Sequence, residues 1–185
     1  DASIGISENS VVNNYKELRK QFIFLTGTYK KNLIVEEYIV GRELNCAVLD
    51  GKPLPISEID FTGLPDGLPK IVTYDGKWIE GSTYYNHTKP ICPANIDSEI
   101  KNKIEKIAVE AYNVLGCRDY ARVDVRLSED GMPYVIEINP NPDVSSDSGF
   151  ARAAAAAGKN YSELLFTITS LALQRKYNDT KNKAV

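Results

Sequence analysis

Residues 120–143 read YARVDVRLSEDGMPYVIEINPNPD, and this stretch decides the fold. Val123, Val125, Leu127, Val135, Ile136 and Ile138 supply the β-branched and apolar density of two strands. Asp130-Gly131 between them is a strong short-hairpin signal. If these two residues form a type I′ loop, Glu129 pairs with Met132, Leu127 with Tyr134, Asp124 with Glu137, and Arg122 with Asn139. Strand alternation then puts Arg122, Asp124, Glu137 and Asn139 on one face. Two carboxylates directly opposite, with Cβ atoms about 4.5–5.5 Å apart, repel each other. A purely structural hairpin gains nothing from that patch, whereas a hard divalent cation such as Mg²⁺ favours it. The hairpin alone leaves a second reading open, a half-exposed ribbon with Arg122–Asp124 and Arg126–Glu137 ion pairs.

The whole chain bounds what this hairpin serves. Its 185 residues are 43% hydrophobic and 25% charged, the composition of one folded globular domain rather than a disordered segment. A net charge of −3 without a basic run gives no footprint for nucleic acid or an anionic membrane. The longest apolar runs fall short of a membrane span. Cys46, Cys92 and Cys117 are widely spaced and form no CxxC pair, as in a reduced cytoplasmic protein. The single His87 argues against a zinc cluster or a Ser–His triad. The opening DASIGISENS begins with a strand-like SIGIS and no lead-in, as expected for a piece of a longer protein.

Moving outward from the hairpin, Asn9-Ser10 is expected to cap a helix reaching about Phe24. Residues 33–38 and 42–50 read as strands, and Asp50-Gly51 as a second tight hairpin. Residues 60–96, with four prolines and four glycines, read as a long loop or lid. Ile100, Ile104, Ile107, Ala108, Ala111 and Leu115 predict an amphipathic helix over 97–115, stopped by Gly116. An Ala-rich helix over 149–157 and a last helix over about 161–177 follow, with a fraying tail DTKNKAV.

Two further stretches carry chemistry. In VEEYIVGRE, residues 35–43, free strand-end backbone could read a flat base, and Glu43 could accept ribose hydroxyls; a solvated acidic edge is the simpler reading. In SSDSGFARAAAAAG, free N–H groups and Ser148 could bind a carboxylate or phosphate. Ordinary capping by Ser145, Ser146 or Asp147 is the simpler reading there.

Taken in order, RVDV, IEINPNP and the upstream VEEYIVGRE resemble the ATP-grasp superfamily, and within it the D-alanine–D-alanine ligases and their relatives. The resemblance runs over nearly the whole chain. It implies an α+β fold, a mainly antiparallel sheet flanked by helices. It also implies an ATP-dependent carbon–nitrogen ligase of cell-wall precursor synthesis that joins a carboxylate to an amine through an acylphosphate. Asp124, Glu137 and Asn139 match the family's magnesium ligands, with two Mg²⁺ ions expected and Mn²⁺ an alternative. Arg122 matches its phosphoryl stabiliser and Ser148 the holder of the acceptor carboxylate. Glu36, Glu37 and Ile39 fall where the family reads adenine, Glu43 where it holds ribose, and Lys77 where a mobile loop brings a lysine to the phosphates. Asp1-Ala2, Trp78 and Asp143 depart from the usual D-alanine ligase pattern. Another amino-acid or peptide ligase, or a non-catalytic nucleotide-binding module, is the alternative reading. In this frame residues 1–31 are a remnant of the central subdomain and 32–185 the C-terminal domain. The N-terminal and central domains of the same protein are the missing partners, ATP and small amino-acid or peptide substrates the ligands.

Overall fold

The computed structural model describes the backbone of residues 3–182 and the side chains of residues 3–177. Its chain divides into two compact units, one of residues up to Ile39 with Asp60–Lys89, the other of Val40–Ile59 with Pro90 onward.

In the first unit SIGIS is a turn rather than a strand, with Ser3 at φ 59° and Gly5 at φ 84°. Ser7 caps a 3-10 turn at Glu8–Ser10. The first helix, α1 (Tyr15–Tyr29), therefore starts later than expected, where the Asn14 side chain accepts the Glu17 N–H at 3.0 Å. Residues 33–38 form no strand. Ile34 and Val35 are 85% and 63% exposed, so their strand propensity finds no covering layer. The expected 60–96 loop carries two short helices in this unit, α2 (Tyr74–Trp78) and α3 (Thr83–Asn86), and the strand β4 (Lys89–Ile91) where the second unit resumes. Thr73 and Ser82 cap the two helices, and the Tyr84 hydroxyl donates to the Pro69 carbonyl at 2.9 Å.

The second unit is built on a sheet. Strand β1 (Gly41–Leu49) turns through Asp50-Gly51 into β2 (Lys52–Pro53), then β3 (Ser57–Asp60). The long hairpin is β5 (Tyr120–Ser128) and β6 (Pro133–Asn139). Sheet order is β4-β3-β1-β5-β6, with β2 also on β1. β1 pairs antiparallel with β2, β3 and β5, and β5 pairs antiparallel with β6. Gly41 is required by the β1–β5 contact: a Cβ there would lie 1.9 Å from the Leu127 carbonyl oxygen.

One sheet face is apolar. Leu44, Cys46 and Val48 of β1 and Ala121, Val123, Val125 and Leu127 of β5 pack on helix α4 (Ser98–Val114). That helix is capped by Asp97 and buries Ile104, Ala108 and Tyr112, four residues apart on one stripe. The opposite face is divided along its length. At one end Ala47, Leu49 and Tyr120 meet α5 (Gly149–Ala156) and Leu164 of α6 (Tyr161–Asn182). The alanines of α5 let it sit close, and Phe150 meets the Tyr120 ring edge-on at 5.8 Å. Helix α6 runs past the expected end near residue 177. The rest of that face carries charged and amide side chains.

The hairpin corrects the sequence reading and preserves its outcome. Asp130 is not left-handed, so the loop is not type I′. Instead Gly131 N–H donates to Ser128 O at 3.0 Å, Gly131 itself takes φ 80°, and Ser128 N–H donates to Met132 O. This is a three-residue loop with glycine in the left-handed position. Leu127 therefore pairs with Pro133 rather than Tyr134. A bulge between Asp124 and Val125 then leaves Ile136 as the extra residue and restores Asp124↔Glu137 and Arg122↔Asn139.

Candidate functional site

Three rungs cross β1, β5 and β6. The first is Glu43–Arg126–Tyr134, the second Asn45–Asp124–Glu137, the third Ala47–Arg122–Asn139. Without the bulge Glu137 would pair with Val123 and point toward α4. The extra residue at 136 turns it onto the polar face instead.

The centre of the arrangement is the Asp124 carboxylate, only 7% exposed. Arg122 grips it as a fork, Nε to Oδ1 and an Nη to Oδ2, each at 2.7 Å. Asn45 donates to Oδ1 at 2.8 Å, and the Asn139 amide donates to Oδ2 at 3.2 Å and to Glu137 at 2.9 Å. Four donors thus surround one carboxylate, the Asn139 amide being one of them. Burial pushes the Asp124 carboxyl above its usual range; Arg122 opposes that shift and Glu137 adds to it. For Arg122, burial lowers the guanidinium, but its bonds to Asp124 and the charges of Asp124, Glu137 and Glu43 outweigh it, so the net shift is upward.

The donor set suits a hard cation. Among the described residues no group of three or more His, Cys, Asp or Glu forms a metal cage. What is present is two carboxylates and an amide, the oxygen-rich partial shell that Mg²⁺ completes with water and phosphate. The Asn139 amide nitrogen lies between both carboxylates, where a cation would be attracted. A half-turn about its last bond would present oxygen there instead.

Of the residues expected in the site, Arg122, Asp124, Glu137 and Asn139 come together here, with Glu43 one rung away. Arg126 meets Glu43 at 3.4 Å. Ser148 is the N-cap of α5, its hydroxyl accepting the Ala151 N–H at 3.1 Å, in place of the expected Ser145, Ser146 or Asp147. Its own proton is left to donate. Glu36, Glu37 and Ile39 lie in the irregular segment of the first unit, and Lys77 is exposed on α2 beside Trp78. Asp143 accepts both the N–H and the hydroxyl of Ser145, bonds that lower its carboxyl against a small burial effect. Asp1 and Ala2 lie outside the described residues.

Two members of the site escaped the sequence reading, Asn45 and Arg126 as the partner of Glu43. Both contacts cross the β1–β5 interface between residues about 80 positions apart. Only residues 42–50 and the strand that begins at RVDV, read as paired, could have suggested them.

A family model described as D-ala D-ala ligase C-terminus matches residues 1–170. A D-alanine–D-alanine ligase of Methylacidiphilum infernorum is 37% identical over 94% of the chain and 52% of its own length. The D-alanine–D-alanine ligase of Bacillus anthracis, solved with ATP, superposes with a TM-score of 0.71 at 28% identity, over 91% of this chain and 50% of that one. The VanG D-Ala:D-Ser ligase of Enterococcus faecalis gives 0.70 at 28% identity, over 91% and 46%. The chain spans about half the length of the curated relatives it matches.

Proposed function

The chain belongs to the D-alanine–D-alanine ligase family, matching its C-terminal part, and from that premise we propose that it forms the magnesium- and nucleotide-binding half of an ATP-dependent carboxylate–amine ligase. D-Alanine–D-alanine ligation in cell-wall precursor synthesis is the reaction the relatives favour. The observation that carries the reading is the second rung: Asp124 directly opposite Glu137 on a half-buried face, beside an arginine fork. A structural hairpin would gain by losing that repulsion.

Magnesium would supply charge neutralisation at the phosphates, easing attack of the substrate carboxylate on the γ-phosphorus with ADP leaving, after which the amine displaces phosphate from the acylphosphate. Asp124, Glu137 and Asn139 are the proposed ligands. Arg122 stabilises charge on the transferred phosphoryl oxygens, and its bidentate geometry suits that role. Ser148 donates its hydroxyl proton to the acceptor carboxylate. On the resemblance alone, Glu36, Glu37 and Ile39 read adenine, Glu43 holds ribose and Lys77 contacts phosphate. Residues 1–31 then belong to the central subdomain and 32–185 to the C-terminal domain. The site of action is the cytoplasm, where ATP is held, and the chain by itself does not complete turnover.

A second acceptor class is favoured by one observation. Asp143 places a carboxylate where the D-alanine ligases carry glycine, and the chain is also similar to a D-Ala:D-Ser ligase. The amine acceptor therefore differs from D-alanine in the second reading, while ATP and magnesium stay the same.

Calorimetric titration of the complete protein with a non-hydrolysable ATP analogue tests the nucleotide role. Binding is expected to require Mg²⁺ and to weaken on the order of 100-fold in Asp124→Asn and Glu137→Gln, the loss of a charged ligand. Magnesium-independent binding, or none by the native protein, would reject the reading.

A further inference from the structure

We propose that Arg126 is the positioning residue of the nucleotide's sugar site, holding Glu43 in the orientation that accepts the ribose hydroxyls. The inference rests on the assignment of Glu43 to ribose and goes beyond it. Arg126 stands directly across the β1–β5 ladder from Glu43, and its Nη1 reaches Glu43 Oε2 at 3.4 Å. Its side chain is 7% exposed and that of Glu43 14%. Two charges this far out of water hold each other in place, and removing one leaves the other buried and costly.

Position gives the pair its role. Arg126 shares the polar face with Asp124 and Arg122, two and four residues back along β5. Successive rungs on one face lie about 6.6 Å apart along a strand. A nucleotide whose phosphates lie over the Asp124–Glu137 rung extends its sugar over a distance of this order, onto the Glu43–Arg126 rung. A glutamate side chain has three rotatable bonds and would swing between rotamers. The guanidinium limits that freedom by holding the carboxylate across the ladder, so that the group keeps one orientation toward the hydroxyls it accepts.

A purely structural ion pair would stabilise the sheet and be indifferent to the sugar, so the test reads the sugar. In the complete protein, affinities for ATP and for 2′,3′-dideoxy-ATP are compared in native, Arg126→Met, Arg126→Lys and Glu43→Gln forms, with Mg²⁺ present. The native protein is expected to prefer ATP about tenfold, the worth of hydroxyls on a charged acceptor. Arg126→Met and Glu43→Gln should both shrink that preference severalfold, weakening ATP more than dideoxy-ATP. Arg126→Lys keeps the cation and should recover part of the preference. Full preference retained in Arg126→Met, or equal losses for both nucleotides, overturns the inference while leaving the magnesium–ATP reading intact. A native protein that binds ATP but does not distinguish it from the dideoxy form overturns the ribose role of Glu43 and this inference together. Absence of ATP binding overturns the functional reading itself.

Discussion

The two faces of strand β5 obey different rules although their residues alternate along one backbone. Ala121, Val123, Val125 and Leu127 are held by burial against α4, an interaction indifferent to direction. Asp124 and Arg126 are nearly as hidden and Arg122 half-buried, yet each is held by a named partner at a set distance. On the first face size and polarity matter; on the second, identity does. A buried charge is tolerated only where the opposing strand supplies its complement.

The sharpest way to break this comparison is to exchange the rules. Val123→Asp puts a carboxylate among Leu44, Cys46 and Ile104 with no complement, and should cost at least about 3 kcal/mol. Denaturant melts that show a smaller loss would mean the α4 face is wetter than its burial implies. A milder probe on the same face is Cys46. Burial, with a further contribution from Glu105, pushes its thiol from 9.0 up to about 12. Between those values the folded chain retains a proton that the unfolded chain releases, so stability falls as pH rises from 9 toward 12. The slope contributed is about 1.4 kcal/mol per pH unit. Cys46→Ala should flatten the alkaline limb of stability against pH, and an unchanged limb would assign it elsewhere. The smallest effect is expected from Asn45→Ala on the polar face. It removes one of four donors to Asp124, worth about 1 kcal/mol, and should weaken magnesium-dependent nucleotide binding about fivefold. Calorimetry showing no change would leave Asn45 a bystander.

What the sequence revealed follows the range of the interactions. The Arg122, Asp124, Glu137 and Asn139 grouping was legible because a hairpin is local and its strand period is two. The turn was not. Asp50-Gly51 does adopt two left-handed residues, φ 54° and 69°, and joins Leu49 to Lys52. Asp130-Gly131, the same dipeptide, yields to a Ser128 hydroxyl that both donates to Met132 O and accepts its N–H. The error in the loop and the unforeseen bulge are each one residue, and they cancel at Asp124. Asn45 and Arg126 lay beyond local reasoning because the β1–β5 register is a tertiary choice. The stretch 33–38 misled because strand propensity measures fit to a covered pleat, and that segment has none.

The bulge at Ile136 has a further consequence, for association between molecules. β6 stands at one end of the described sheet, the position from which a strand can pair with another chain. Tyr134, Val135 and Ile136 are all exposed there, which in a flat strand would be a template for sticky growth. The kink interrupts the regular row of donors and acceptors, and Pro133, Pro140 and Pro142 withhold N–H groups around it. The irregularity that aims Glu137 also makes β6 a poorer template for strand pairing, and deleting Ile136 would undo both.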